Sequence, residues 1–291
     1  MNQRAEDAFR ADIVEVGRRM YARGYVASND GNISIRLDDD TILTTPKSVS
    51  KGFMTPDMMV VTDLSGKKIR GTRDASSELL MHLEVYKNRP DARAVVHAHP
   101  PTATGFAVAG IPLDRAVLAE VVTTLGSIPI AEYGTPSTPE LPEAVRKYIK
   151  AYDGLLLANH GALTVAGDVF AAYYKMETIE HFARISLVAR QLGREHLLSR
   201  DEVTRLQGLR GNYGIKSPAP ICADGSTAPP SDQDPATCQI IQSPASWSGS
   251  GGSRLIPTDP SDLDGEIRLS YRELTALIED AVKALLGGQH G

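Results

Sequence analysis

Three short segments carry side chains that could do chemistry together. They are Ser76-Ser77-Glu78, His97-Ala98-His99 and Asn159-His160-Gly161. In an extended strand, side chains two residues apart lie on the same face, so the first two imidazoles would point the same way. Neutral imidazoles and a carboxylate suit a divalent transition metal such as zinc, and a catalytic zinc keeps one position open for substrate. The His-x-His pair alone is also compatible with two histidines on an ordinary strand.

The apolar residues next to these segments predict the elements that would hold them. Ala94-Val95-Val96 predicts a strand that leads into the histidine pair. Residues 154–158, which include three consecutive leucines, predict a buried strand that ends at His160. Open α/β sheets bind ligands at strand ends, so this position favours a functional histidine.

Ser76-Ser77-Glu78 is expected to open a helix whose apolar side comes from Leu79, Leu80, Leu83 and Tyr86. A helix N-terminus presents unpaired N–H groups and a partial positive charge. Two serines at such an end form a natural phosphate cradle. The alternative is that one of the serines is only a helix N-cap, and a cap at the mouth of a cleft can serve both purposes.

Further helices are predicted from Asp168 to about residue 192 and from Ser199 to about residue 209. The apolar segment 117–125 contains one charged residue, Glu120. Such a carboxylate is either a helix-surface residue or one retained for a function, and the segment alone does not decide between them.

The composition is that of a soluble globular protein, with 291 residues, 42% of them hydrophobic and 23% charged. The net charge of −5 and the absence of a long basic segment argue against nucleic-acid binding. We see neither a signal peptide nor an apolar segment long enough to span a membrane. Cys222 and Cys238 form neither a zinc knuckle nor a disulfide framework, which favours a reducing, cytoplasmic setting.

The composition changes after Gly214, which predicts three parts. Residues 1–214 are expected to form one domain, and residues 215–261 a flexible linker rich in Pro, Ser and Gly. Residues 262–291 predict a short amphipathic helix, because Ser270 and Glu273 fit a capping box and the apolar residues that follow are spaced three and four apart.

In this order and spacing, the segments resemble the class II aldolase/adducin family. The likeness covers residues 5 to about 214, and it is carried by Asp30-Gly31-Asn32-Ile33-Ser34, Thr45-Pro46, Ser76-Ser77-Glu78, His97-Ala98-His99-Pro100, Tyr133-Gly134-Thr135 and Asn159-His160-Gly161. The resemblance implies a three-layer α/β/α fold around a largely antiparallel central sheet. It also implies a C4 homotetramer with active sites at the subunit interfaces.

The resemblance further implies a ligand set and a substrate site. One zinc ion per subunit, with manganese or cobalt as alternatives, would be held by Glu78, His97, His99 and His160. The substrate phosphate would be held by Gly31, Asn32, Lys47, Ser48, Ser76 and Ser77. The sequence departs from the family's aldolases at Lys47-Ser48, where they carry Thr-Gly or Ser-Gly. A lysine suits a phosphate, but the loop lacks the glycine.

The activity implied is cleavage of a deoxy-ketose 1-phosphate, L-fuculose-1-phosphate or L-rhamnulose-1-phosphate, to dihydroxyacetone phosphate and lactaldehyde. Glu78 would be both a metal ligand and the base or acid at C3. The acid at the aldehyde end would be Glu120 or the C-terminal Tyr213. An epimerase of the L-ribulose-5-phosphate type and other sugar-phosphate lyases remain alternatives, whereas a non-catalytic adducin-like head would be expected to have lost these ligands.

The C-terminal segment 262–291 resembles the encapsulation peptides of bacterial microcompartment enzymes. That resemblance implies shell or cargo proteins as partners and the microcompartment lumen as a location. A helix that packs back on its own tetramer would show the same pattern.

Overall fold

The computed structural model describes residues 3–215 together with residue 221. Within them, eight strands form one sheet. The strands are β1 Asn32–Arg36, β2 Thr41–Thr44, β3 Val60–Asp63, β4 Lys68–Arg70, β5 Ala94–Ala98, β6 Ile130–Ala131, β7 Gly154–Leu157 and β8 Gly161–Ala166. Their order across the sheet is β4-β3-β2-β1-β5-β8-β7-β6, and only the β6–β7 pair is parallel. The largely antiparallel α/β fold is therefore confirmed.

Helices cover the sheet, and shorter 3₁₀ segments connect several of the elements. The α-helices are α1 Gln3–Ala22, α2 Leu79–Asn88, α3 Pro101–Val108, α4 Ala119–Thr124, α5 Glu140–Arg146, α6 Val169–Gln191 and α7 Arg200–Gly208. The 3₁₀ segments are Lys51–Phe53, Pro56–Met58 and Arg210–Tyr213. No helix among these described residues is long and apolar enough to cross a membrane.

The central strand β5 shows how the sheet separates two cores. Val96 packs into a cluster with side chains of α1, α3 and α6, whereas Val95 packs into a cluster with side chains of α2 and α5. Both faces of β5 are covered, which explains why its sequence is almost uniformly apolar. His97 is two residues after Val95 on the strand, so its side chain lies on the same face, the α2 side of the sheet.

The helix boundaries largely match the sequence expectations, with one correction at the start of α2. Asp168 caps α6 by accepting from the Ala171 N–H at 2.8 Å, and Ser199 begins α7 in a complete capping box with Glu202. The helix expected from Ser76 begins at Leu79 instead, with Glu78 at the N-cap position. The two serines therefore lie in the loop before the helix.

The predictions for the linker and the C-terminal helix fall almost wholly outside the described residues. Of segment 215–261, the structure describes only residues 215 and 221, and it describes none of segment 262–291.

Candidate active site

The strand β5 and the turn before β8 bring the three predicted histidines together. His97 is fully buried at the end of β5, His99 follows the strand, and His160 immediately precedes β8, which pairs with β5. One ring nitrogen from each histidine lies within 4.8 Å of the others. The His97 and His99 Nε2 atoms are 3.1 Å apart.

Gly31 and Gly161 allow the backbone segments around the histidines to lie close together. Gly31 has φ +70°, and a Cβ there would lie 2.8 Å from the His97 carbonyl oxygen and 2.6 Å from a Val26 methyl. A Cβ on Gly161 would lie 2.5 Å from the Ala98 carbonyl oxygen and 2.6 Å from the His99 ring. Side chains at these positions would push the backbone away from the histidines.

Glu78 completes the predicted ligand set. Its Oε1 lies 3.0 Å from His160 Nε2, and its Oε2 lies 3.5 Å from His97 Nε2. Burial opposes ionisation of this carboxyl, but His97, His160 and Asn32 outweigh it and hold the pKa of Glu78 below its usual range. The carboxylate is therefore ionised, as a metal ligand must be.

Polar contacts at the outer ring nitrogens orient two of the histidines. His97 Nδ1 lies 2.9 Å from the Ala162 carbonyl oxygen, so it carries the proton and leaves the Nε2 lone pair facing the cluster. His99 Nδ1 lies 3.5 Å from an Asp30 carboxylate oxygen. Burial lowers the pKa of both His97 and His99, which favours neutral imidazoles.

The donor set fits a divalent metal. The neutral imidazoles of His97 and His99 and the Glu78 carboxylate turn electron pairs toward a common point, and this arrangement is unfavourable unless a cation lies between them. The side chains that would hold the ion are those predicted, namely Glu78, His97, His99 and His160.

A cavity of about 370 Å³ opens beside this cluster, and all six predicted phosphate-binding residues line it. They are Gly31, Asn32, Lys47, Ser48, Ser76 and Ser77, and Glu78, His99 and His160 line the same cavity. Within it, the Asn32 side-chain amide donates to Glu78 Oε2 at 2.8 Å. Asn32 thus positions the Glu78 carboxylate as well as lining the cavity.

Ser48 replaces the glycine of the family pattern and still adopts a left-handed backbone, with φ +57°. A residue with a Cβ makes that conformation more costly than a glycine would.

Glu120 and Tyr213 lie elsewhere on the single chain. Glu120 is on α4 and lines a separate cavity of about 670 Å³ with Tyr174 and His181, among others. Tyr213 follows α7 and is 67% exposed. Neither lines the metal-side cavity of its own chain, so their assignment as acids for the aldehyde end stays a prediction that depends on a neighbouring subunit.

Three residues in or near the cavity were not predicted from the sequence as part of the site. Asp30 was noted only as part of a motif, although it contacts His99. Lys51 lines the cavity while being almost fully buried, and His82 is buried one helical turn after Glu78. The i, i+4 spacing from Glu78 could have indicated His82, but nothing local in the sequence distinguishes Lys51 from a surface lysine.

Taken together, the fold, the histidine–glutamate cluster and the adjoining polar cavity define a metal-dependent lyase of the class II aldolase type. Comparison with known proteins agrees. The sequence model of the class II aldolase and adducin N-terminal domain matches residues 11–187. The chain belongs to the class II aldolase and adducin family.

Named relatives carry more than one activity. The chain is 34% identical over 181 residues to an L-fuculose phosphate aldolase of Methanococcus maripaludis, covering 62% of this chain and 97% of the relative. It is 32% identical over 188 residues to a 3-oxo-tetronate 4-phosphate decarboxylase of Pectobacterium atrosepticum, covering 63% and 86%. The solved L-fuculose-1-phosphate aldolase of Thermus thermophilus is 31% identical with a TM-score of 0.58, covering 65% of this chain and 98% of that one.

Proposed function

We propose that the protein is a zinc-dependent aldolase that cleaves a deoxy-ketose 1-phosphate, L-fuculose-1-phosphate or L-rhamnulose-1-phosphate, to dihydroxyacetone phosphate and lactaldehyde. The observation that carries the proposal is the single cavity shared by the metal-ligating cluster and the six phosphate-site residues. A ketose 1-phosphate needs both, because its phosphate must be anchored while its carbonyl reaches the metal side.

The phosphate would be held by groups that line the cavity. Ser76, Ser77 and Ser48 offer hydroxyls, Gly31 offers its backbone, and Lys47 offers a positive charge. A phosphate anchored by these groups would leave the sugar chain free to reach Glu78 and the histidines of the same cavity.

The chemical step needs an acid–base group at C3 and stabilisation of negative charge. A divalent ion held by Glu78, His97, His99 and His160 would supply Lewis acidity toward the ketose oxygens. Glu78 is held by the Asn32 amide at 2.8 Å, so its carboxylate stays in place while it takes or returns a proton at C3. When the C3–C4 bond breaks, the C4 hydroxyl loses its proton to a base, and we assign that role to Glu120 or Tyr213 of a neighbouring subunit.

The test is a product assay. Zinc-loaded protein is incubated with L-fuculose-1-phosphate, L-rhamnulose-1-phosphate and L-ribulose-5-phosphate, and dihydroxyacetone phosphate and lactaldehyde are measured. Formation of both from a 1-phosphate supports the proposal. Conversion of L-ribulose-5-phosphate to its epimer with no triose phosphate from any substrate would overturn it in favour of an epimerase.

A decarboxylase is the second candidate, and the 32% identity to the Pectobacterium relative over most of its length favours it. Loss of the carboxylate from a 3-oxo-tetronate 4-phosphate leaves the same three-carbon ketone phosphate as the aldol cleavage. The phosphate end and the metal side would therefore serve both reactions. Release of CO2 from this substrate, with no lactaldehyde from either 1-phosphate, would assign the decarboxylase.

The acid–base group at the aldehyde end and the assembly are tested together. We propose a cytoplasmic homotetramer with interfacial sites, which gel filtration with light scattering would detect as a mass of four chains. Glu120→Gln is expected to slow cleavage while leaving phosphate binding intact. Undiminished turnover by this variant would remove Glu120 from the mechanism.

For the C-terminal segment 262–291, we propose targeting to a bacterial microcompartment. The support is its amphipathic pattern behind a Pro/Ser/Gly-rich segment. Deleting residues 262–291 is expected to preserve cleavage and abolish co-purification with shell proteins. Loss of cleavage on deletion would instead indicate that the segment packs on its own tetramer.

A further inference from the structure

Two loops line the cavity beside the predicted phosphate-binding serines, and each contains a serine in a left-handed backbone conformation, Ser48 in one and Ser28, at φ +49°, in the other. The loop containing Lys47 and Ser48 follows β2, and the turn at residues 28–31 precedes β1. Ser48 has φ +57°, a backbone region that glycine enters freely and a residue with a Cβ does not. Such a conformation persists only when the surrounding contacts enforce it.

Lys51 supplies contacts of this kind. Its ammonium donates to the Val49 carbonyl at 2.7 Å and to the Asn29 carbonyl at 2.9 Å. Val49 directly follows Ser48, and Asn29 belongs to the turn before β1. One side chain therefore ties the two phosphate-side loops to each other.

The position of Lys51 is unusual for a lysine. Only 2% of the residue is exposed, yet it lines the cavity together with Ser48 and Ser76. The described residues give it no ion pair, and its two hydrogen bonds go to neutral carbonyl groups. An ammonium has three N–H donors, so one remains for an anion in the cavity.

The charge on Lys51 is retained at neutral pH. Burial lowers the pKa of Lys51 to about 8, and the nearby carboxylates of Asp30 and Glu78 partly oppose that effect. Removing a cation from water costs free energy, and a dianionic ligand would offset this desolvation far better than two carbonyl groups do.

We propose that Lys51 is a positioning residue of the phosphate site, which holds Ser48 in its left-handed conformation and adds a buried positive charge beside the substrate phosphate. This inference rests on the proposed function, because it assumes that phosphate binds at this end of the cavity. It differs from the role given to Lys47, whose side chain is exposed at the cavity and has no such fixed contacts among the described residues.

The test is a double-mutant cycle on binding of dihydroxyacetone phosphate, measured by titration calorimetry on zinc-loaded full-length protein. The four proteins are wild type, Lys51→Met, Ser48→Gly and the double variant. With Ser48 in place, loss of the charged donor is expected to weaken binding by roughly 10- to 100-fold. In the Ser48→Gly background, Lys51→Met should weaken binding by a factor about fivefold smaller, because glycine adopts the left-handed conformation without the Lys51 contacts.

Lys67→Met is the matched control, since Lys67 is an exposed lysine that does not line the cavity. It should bind dihydroxyacetone phosphate as wild type does. Zinc content and the urea midpoint are measured for every variant. If Lys51→Met does not fold, Lys51→Gln replaces it, because glutamine keeps a polar N–H group at this buried position while removing the charge, and weaker binding is again expected.

Unchanged affinity in Lys51→Met or Lys51→Gln would overturn the inference while leaving the proposed function in place. An equal loss in the wild-type and Ser48→Gly backgrounds would also overturn it, since that result would mean that Lys51 does not act through Ser48. If wild type bound neither dihydroxyacetone phosphate nor inorganic phosphate, the proposed function itself would fail, and this inference with it.

Discussion

The side-chain amide of Asn32 donates a 2.8 Å hydrogen bond to the Glu78 carboxylate, and the two residues are 46 positions apart along the chain. Asn32 is paired in register with His97 across β1 and β5. One residue thus links the strand that carries His97 to the carboxylate that is proposed to move a proton.

Asn32→Ala should therefore lower kcat/KM without removing the metal. A hydrogen bond to a charged group contributes about 1.5–3 kcal/mol, which corresponds to roughly a 10- to 100-fold loss. Asn88→Ala is a matched control, because Asn88 Nδ2 donates to the Glu84 carboxylate at 2.7 Å and does not line the cavity. Normal activity in Asn32→Ala, with full zinc occupancy, would contradict this role.

Removing the metal should destabilise the protein, because the cluster of Glu78 and the three histidines is proposed to bind the metal only in the folded chain. The His97 and His99 Nε2 atoms lie 3.1 Å apart, and a cation bound only by the folded chain stabilises it, so chelation is expected to lower the melting temperature and zinc to restore it. His97→Ala should abolish the zinc response, whereas His181→Ala, at an exposed histidine lining the other cavity, should retain it. Thermal scans with and without chelator measure both, and a zinc response in His97→Ala equal to that of wild type would exclude this ligand.

Gly31→Ala should lower the free energy of unfolding by more than Gly24→Ala does, although the two glycines have similar φ angles. Gly24 has φ +69° and no atoms near its would-be Cβ, so Gly24→Ala should lower the free energy of unfolding by only about 1 kcal/mol. Gly31→Ala also meets the His97 carbonyl and should cost a further ~1–3 kcal/mol, with reduced zinc affinity. Urea unfolding of both variants tests the difference, and equal costs would show that the close approach does not matter.

The buried His82 should make stability depend on pH. Burial lowers the pKa of His82 to about 4, and its Nδ1 lies 2.7 Å from Ser34 Oγ. Because the folded-state pKa lies below the unfolded value of about 6.5, the unfolded chain binds the proton first as pH falls. Stability is therefore full above about pH 6.5 and falls by up to about 3 kcal/mol as pH drops toward about 4.

The measurement compares urea unfolding of metal-free wild type and His82→Asn between about pH 7 and about pH 4.5, a range that spans most of this titration. Asparagine leaves a polar group for Ser34 but does not titrate, so the difference in stability between the two proteins should shrink or reverse as pH falls. His181→Asn, at an exposed histidine, should follow the wild-type curve. A constant difference between wild type and His82→Asn across this range would show that His82 is not the responsible group.

The sequence by itself predicted which histidines cluster, the family and the order of the main elements. His97 and His99 are two residues apart on a strand, and strand periodicity alone places them on one face. Asp168 and Ser199 predicted the starts of α6 and α7, because capping depends on residues within one turn of each other. These features are local, so a local pattern was enough to indicate them.

Only the tertiary structure decided how the site is completed. Asp30 beside His99, the Asn32–Glu78 hydrogen bond and the burial of Lys51 join residues whose separations along the chain have no fixed period. The left-handed Ser48 is a further case, since its sequence gives no glycine to indicate that backbone. Such relationships arise when the antiparallel sheet brings distant loops to one end, and the energy that keeps them comes from contacts that form only in the folded chain.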